Sequence, residues 1–404
     1  MQFEVVPAIA QIDAAEWDNL FNSDYPFCQH AFLHALELGG SVGNALDNTV
    51  EDDVEDTVGD TVESNVESTA NNGWIVQHLT LRDNNTLIAI MPAYIKLHSY
   101  GEYLFDWQFA KAYQQYGLEF YPKLINAIPF TPAEGPRFAV AAGYDKAAIL
   151  ALFHQGIQQL VEQFSLSQFQ VLYPNIAEQK LYRQLGFQER YDVQFQWFNR
   201  DYTSFDHFLQ QLTSRKRKQI RQERNKVAAQ GVLIKTLTTD QLTPLFWQQF
   251  YQFYVATYQK RSGHQGYISQ ATFMHWGATM AEQIVVFAAE YQGEMVAAAL
   301  CFRDNQHLYG RYWGCKAEFD RLHFDCCYYA GIDYCIEHKL KMFDAGAQGE
   351  HKVQRGFEPI IRSGFYRFVP NALTSAIENY IVQEQAAVTD YYQQVQQQLP
   401  FKMQ

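Results

Sequence analysis

The chain has 404 residues, 48% apolar and 16% aromatic, with 31 Lys and Arg against 44 Asp and Glu and a formal charge of −13. That length favours two domains and that composition fills two cores. No run reaches the roughly eighteen apolar residues that cross a bilayer, and six irregularly spaced cysteines (Cys28, Cys301, Cys315, Cys326, Cys327 and Cys335) exclude a disulfide framework. The charge is uneven. Asp47, Glu51, Asp52, Asp53, Glu55, Asp56, Asp60, Glu63 and Glu67 share one segment without a Lys or Arg, and setting these nine aside leaves only −4. Global charge therefore selects no partner, although a local basic patch can still bind nucleic acid. The N-terminus lacks a basic stretch followed by an apolar one, so the chain reads as soluble and cytoplasmic.

In chain order, Phe3–Val6 predicts a strand, followed by helices over 14–21 and 29–38. The second places Phe32, Leu33, Ala35 and Leu36 on one face. Residues 41–72 are acidic, poor in aromatics and loosely repetitive, and predict a disordered surface insertion. They lack the glycine and glutamate spacing of an EF-hand. Trp74–Arg82 and Thr86–Leu97 flank Asp83-Asn84-Asn85 as a hairpin. Tyr100–Trp107 then leads into an aromatic helix ending near Tyr116. Residues 122–136 are punctuated by proline, and helices over 144–164 and 176–185 alternate with strands over 168–173 and 191–198.

Phe205, Phe208, Leu209 and Leu212 fit one helical face. A basic helix follows, with Ser214 as its expected N-cap and Gly231 as its stop. Arg215, Lys216, Arg217, Lys218, Arg221, Arg224 and Lys226 accompany one acid there, Glu223. Cations at a helix N-terminus oppose the macrodipole, which favours a phosphate or polyanion contact through Arg215, Lys216, Arg217 and Arg221 over a merely solvated face. Helices over 242–261 and 270–283, strands over 285–291, 294–303 and 307–314, and a helix over 324–338 come next. A strand at 365–369 and a polar helix close the chain. Both halves repeat one α+β order, which predicts an internal duplication. The expected partition is 1–200, a basic linker over 201–231, and 232–404.

The chain is organised around residues 341–357. A buried strand end is broken by Gly346 and Gly349, and Glu350, His351, Lys352 and Arg355 follow. Glycines at a strand tip let the backbone turn sharply and approach a ligand. Four ionisable side chains there favour a site over a charged loop that caps the sheet.

Phe343 to Gly356, with His323-Phe324 and Cys327-Tyr328-Tyr329 upstream, resembles the bacterial GNAT-like N-acyltransferases that are labelled peptidoglycan biosynthesis or recognition proteins. The resemblance extends to Ser99–Trp107, Tyr121–Leu124, Pro129–Pro132 and Gly135–Arg137, and covers most of the chain outside the acidic segment. More distantly, the chain is similar to the Fem-type aminoacyl transferases, which move amino acids from aminoacyl-tRNA to cell-wall precursors. The resemblance implies an α+β fold of two tandem GNAT-like units, each a mixed sheet flanked by helices, and acyl transfer to a small-molecule or peptide amine.

Acyl transfer to an amine needs a proton acceptor, donors for the developing oxyanion and a place for the donor's phosphates. Glu350 and His351 are the candidate proton-handling pair. Lys352 and Arg355 are the candidate holders of an anionic group, with Arg311 and Tyr312 as further substrate contacts. Asp106 and Trp107 are candidate substrate contacts in the first half. Trp107 belongs to an aromatic set with Tyr100, Tyr103, Tyr113, Tyr309 and Trp313 that can stack on sugars if the chain is a recognition module. The Arg/Gln-x-x-Gly-x-Gly/Ala loop usual for acetyl-CoA is missing, so acyl-CoA and aminoacyl-tRNA both stand as donors, the basic helix fitting a tRNA backbone. His307, His323, His338 and His351 lack the paired spacing of a zinc site, and no metal is expected. Cys326 and Cys327 are expected to pack in a helix rather than act as nucleophiles. The cleft between the two units is the expected location of the site.

Overall fold

The computed structural model describes residues 1–43, 72–347 and 349–402. The expected insertion thus falls, except at its ends, outside the described residues. Those ends meet. Asn72 Nδ2 donates to Ser41 O at 3.1 Å, and Gly43 N donates to Trp74 O at 2.9 Å.

The first half contributes β1 (Gln2–Val6), β2 (Trp74–Val76), β3 (His78–Asp83), β4 (Thr86–Met91), β5 (Tyr94–Lys96), β6 (Lys123–Asn126), β7 (Ala139–Val140), β8 (Gln168–Leu172) and β9 (Gln188–Phe198). The second contributes β10 (Val232–Leu237), β11 (Ile284–Tyr291), β12 (Glu294–Arg303), β13 (His307–Cys315), β14 (Met342–Asp344) and β15 (Glu358–Phe368). A small sheet has the order β1-β3-β4-β7. A large one runs β10-β11-β12-β13-β14-β9-β15-β8-β6-β5-β2. The fold is two tandem GNAT-like units, each a mixed sheet flanked by helices.

Each unit contains one parallel pair, β6 with β8 and β13 with β14, among antiparallel neighbours. The units then exchange strands. β9 follows β8 in the chain but pairs with β14, whereas β15 follows β14 but pairs with β8. β9 and β15 also lie antiparallel to each other from Glu358↔Gln196 to Tyr366↔Gln188. The strand expected at 365–369 therefore begins at Glu358. Its missed half contains Arg362 and Ser363, polar residues buried by the neighbouring strands, so an apolar pattern could not reveal it.

The helix Pro244–Ser262 fixes the geometry around β13. Thr243 caps it by accepting from Phe246 N, Pro244 suits the first turn, and Gly263 ends it at φ 73°. Phe246, Phe250 and Tyr254 bury one face against a core that includes Tyr312 of β13. A Cβ on Gly314 would land on the backbone of Phe253 and Tyr254. Gly314→Ala should therefore destabilise the fold by about 1–3 kcal/mol through overpacking. Urea denaturation checks this, and an unchanged midpoint would contradict such close packing of helix on strand.

The basic helix spans Ser214–Ala229, and its N-cap is Thr213, not Ser214, with no side-chain capping bond. Gly231 follows its C-cap at φ 79°. Among the described residues no helix is long and apolar enough to cross a membrane.

Candidate functional site

β13 and β14 pair only from His307↔Met342 to Tyr309↔Asp344. Just past that pairing β13 bulges, with Gly310 opposite Cys301, Tyr312 opposite Leu300, and Arg311 as the extra residue. The chain leaving β14 turns away through Gly346 (φ 86°) and Gly349 (φ 114°). The gap holds a cavity of about 370 Å³ walled by Gly310, Arg311, Trp313, His323, Gly346 and His351 among others. A second chamber of about 1010 Å³ shares Arg261, Trp313, His323 and His351 with it and extends along residues 315–324. The residues lining one or other chamber fall between 256 and 351, within the span expected for the second unit, whereas the sequence reading pointed to the cleft between units.

Residues Glu350–Arg355 form a 3-10 turn that sends its side chains in different directions. His351 lines both chambers, with Nε2 at 2.8 Å from the Tyr328 hydroxyl. Its neighbour Glu350 lines neither, and accepts a hydrogen bond from Tyr391 at 2.6 Å. The structure thus separates the two residues expected to share proton transfer. Lys352 is buried and donates to Gly346 O at 2.5 Å, pinning the strand tip. Burial lowers its pKa to about 8, partly opposed by Asp344.

Arg355, expected to hold a substrate anion, lines neither chamber and is engaged within the protein. Nη1 donates to His351 O at 2.8 Å, Nη2 donates to both oxygens of Glu223 at 3.0 and 2.9 Å, and the guanidinium lies 3.6 Å over the Phe324 ring. Arg311 does line the cavity, with its side chain only 2% exposed. Tyr312 contributes to the same wall, but its ring packs on Tyr254, Phe273 and Trp276 in the core.

Asp106 and Trp107 stand apart in the first unit, outside both chambers. Asp106 and Glu102 flank the Lys123 ammonium at 2.6 and 2.8 Å, all fully buried. Trp107 is partly exposed, stacks on Phe105 and meets Tyr100 at a tilt of 59°.

The basic helix is half neutralised. Arg221 pairs with Asp206 at 2.7 Å, Arg224 with Asp333 at 2.7 Å, and Lys226 with Asp320. Arg215, Lys216, Arg217 and Lys218, nearer its start, have no carboxylate partner among the described residues. Lys216 donates to Gln354 at 2.9 Å, joining the helix to the turn that carries His351.

Glu223, the one acid of that helix, is a junction. It accepts from Arg355 of the 3-10 turn and from the Tyr329 hydroxyl. Tyr329 ends a π-turn, Asp325–Tyr329, inside the helix that follows β13. Such turns shift side-chain register. Here Tyr328 reaches His351 while Tyr329 reaches Glu223. The π-turn and the 3-10 turn are therefore held together from behind by one carboxylate.

The field in the cavity is positive. Burial, then Arg261, His351, Lys352 and Arg355, lowers the pKa of His323 to about 3. Burial, then Arg355, Lys352 and Arg261, also lowers that of His351. Burial pushes the Tyr328 phenol up. Near neutral pH the pair is a neutral imidazole and an intact phenol, and in the Nδ1–H tautomer the Tyr328 O–H donates to Nε2. Cys326 is buried in the helix core, and Cys327 lines the cavity. Burial raises both thiols, so neither supplies a thiolate at neutral pH. Tyr328, His323 and Arg261 had no role in the sequence reading. The first two stood in the motifs that carried the resemblance, while Arg261 resembled any cation in a last helical turn.

A strand-exchanged pair of GNAT-like units with a cavity where parallel strands part defines a tandem GNAT-fold protein. The chain belongs to the FemAB-like family, described as peptidoglycan biosynthesis/recognition, whose model matches residues 60–403. Similar solved structures include the C-terminal domain of a putative lysylphosphatidylglycerol synthetase from Agrobacterium fabrum, at 9% identity over 93% of this chain and 97% of that one, TM-score 0.51. FemX matches at 11% identity over 77% of this chain and 92% of that one, TM-score 0.46. A tandem GNAT protein from the clavulanic acid biosynthesis pathway matches at 8% identity over 92% and 99%, TM-score 0.43. At these identities the likeness speaks to fold alone. No curated protein matches the chain.

Proposed function

We propose that the chain is an N-acyltransferase that moves an acyl or aminoacyl group from an activated donor to an amine on a peptidoglycan-related acceptor. The hydrogen bond between Tyr328 and a neutral His351, at the junction of two connected chambers, carries this reading. The family's description supports the cell-wall context. The larger chamber has Arg261 in its wall beside the ion pairs Lys260–Glu318 and Arg321–Asp320, and Arg261 suits a phosphate of acyl-CoA or of an aminoacyl-tRNA end. The bulge at Arg311 interrupts the strand ladder, where a backbone N–H can face a developing oxyanion.

In the step, the amine nitrogen forms a bond to the acyl carbon while the bond from that carbon to the donor's sulfur or oxygen breaks. The amine proton passes to the Tyr328 oxygen as the Tyr328 proton moves to His351 Nε2. The departing thiolate or alkoxide then takes a proton, which returns the relay to its starting state.

Because the His351 pKa lies below the ordinary value of about 6.5, its neutral form persists through and somewhat below neutrality. In kcat at saturating acceptor, where ionisation of the free amine does not enter, the His351 acid limb should therefore be centred below pH 6.5. A limb centred above pH 7 would contradict the assignment. The activity itself is tested by incubating the protein with labelled acetyl-CoA or charged tRNA and amine-bearing muropeptides. Label transferred to the amine supports the reading, and label left wholly on both donors opposes it.

A further inference from the structure

His323 is one of four residues shared by the two chambers, with Arg261, Trp313 and His351. It stands in the single turn Leu322–Phe324, directly before the π-turn that carries Tyr328. Trp313, Phe324, Tyr328 and His351 all meet its ring at steep angles, with centroids 5.4 to 6.3 Å away. Those contacts fix the ring. Neither Nδ1 nor Nε2 has a hydrogen-bond partner among the described residues, and neither is closed off by protein. His78, His307 and His351 each engage a protein group instead. A histidine held by four rings, with both nitrogens open to a cavity, is placed to hydrogen-bond what the cavity binds.

The surroundings decide which hydrogen bond that is. A neutral imidazole offers one N–H and one lone pair, whichever tautomer it adopts. Burial, then Arg261, His351, Lys352 and Arg355, lowers the pKa of His323 to about 3, so the ring is neutral near neutral pH. A nitrogen that weakly basic is a poor proton acceptor there. Donation is the chemistry left to it. The cations Arg261, Lys352 and Arg355, which oppose an imidazolium, stabilise an anion in the same space. A preorganised N–H aimed at developing charge is a large contribution to acyl transfer.

We infer that His323 is a second catalytic residue: its N–H donates to the donor's carbonyl oxygen as that oxygen becomes an oxyanion, alongside the backbone N–H at the Arg311 bulge. The role rests on the transferase reading. As the amine nitrogen bonds to the carbonyl carbon, one electron pair of the C=O bond moves onto the oxygen. It returns when the bond to the donor's sulfur or oxygen breaks, and His323 keeps its proton throughout. His351 handles the proton and His323 the charge.

The test is steady-state transfer to an amine-bearing muropeptide, from labelled acetyl-CoA and from charged tRNA, by the full chain and its His323 variants. His323→Ala should lower kcat by about 10²–10³-fold, the effect of one lost oxyanion donor, while the donor's KM stays within about threefold. A Gln side chain carries an amide N–H near the place of Nε2, and an Asn side chain near that of Nδ1. One of His323→Gln and His323→Asn should therefore exceed His323→Ala in kcat by about tenfold or more. A merely structural histidine gives no such rescue. A kcat for His323→Ala within about threefold of wild type, equal kcat values for the three variants, or a loss confined to KM would each overturn the proposal. If His323→Ala does not fold, His323→Leu, of similar size but without an N–H, takes its place in the same comparison. A wild type that transfers from neither donor would remove the transferase reading and this role with it. An active wild type with an equally active His323→Ala would remove this role alone.

Discussion

Glu223→Ala should destabilise the protein by about 3–5 kcal/mol, because it strands a buried guanidinium. The Glu223 and Arg355 side chains are 6% and 4% exposed, and Arg355 reaches both carboxylate oxygens. The same carboxylate accepts from Tyr329, so the substitution also loosens the π-turn beneath Tyr328. Urea denaturation followed by tryptophan fluorescence measures the loss, and a change below 1 kcal/mol would show that the junction is dispensable. Arg355→Ala should cost a similar amount. The double variant should cost less than the sum of the two, as expected for residues in direct contact.

His351→Ala should lower kcat/KM by about 10²–10⁴-fold, the range of a lost general base. Stability should change little, since the ring lies at the cavity surface and loses one hydrogen bond, worth about 1 kcal/mol. Glu350→Ala is the informative control. These residues are adjacent in sequence, yet Glu350 faces Tyr391 and not the chambers. Its removal should leave turnover within about threefold, a barrier change of roughly 0.65 kcal/mol. Comparable losses in both variants would mean that the carboxylate reaches the reacting atoms during turnover.

Much of the fold was legible because its signals are local. The helix expected over 242–261 is found at Pro244–Ser262, and Gly346 and Gly349 mark the strand tip beside the cavity. The partners of long-range elements were not legible. Nothing in 188–198 reveals that its neighbours are 342–344 and 358–368, since each half's pattern is also satisfied by strands of its own half. The site divided along the same line. His351 was recognisable as an ionisable group beside a glycine-broken strand. Arg355 looked equivalent to Lys352 and Arg311, and only the approach of Glu223, 132 residues away, distinguishes it. Tyr328 escaped notice because a π-turn places it, and a regular helical wheel sets its side chain differently.

The central claim is that neutral His351 accepts the proton released when an amine attacks the donor. Single-turnover transfer to an amine-bearing muropeptide tests it most directly, from labelled acetyl-CoA and from charged tRNA in parallel, for wild type, His351→Ala and Glu350→Ala. The account predicts amide formation from one of these donors in the wild type, near-complete loss in His351→Ala, and retention in Glu350→Ala. Equal rates in wild type and His351→Ala, or no amide from either donor, would contradict it.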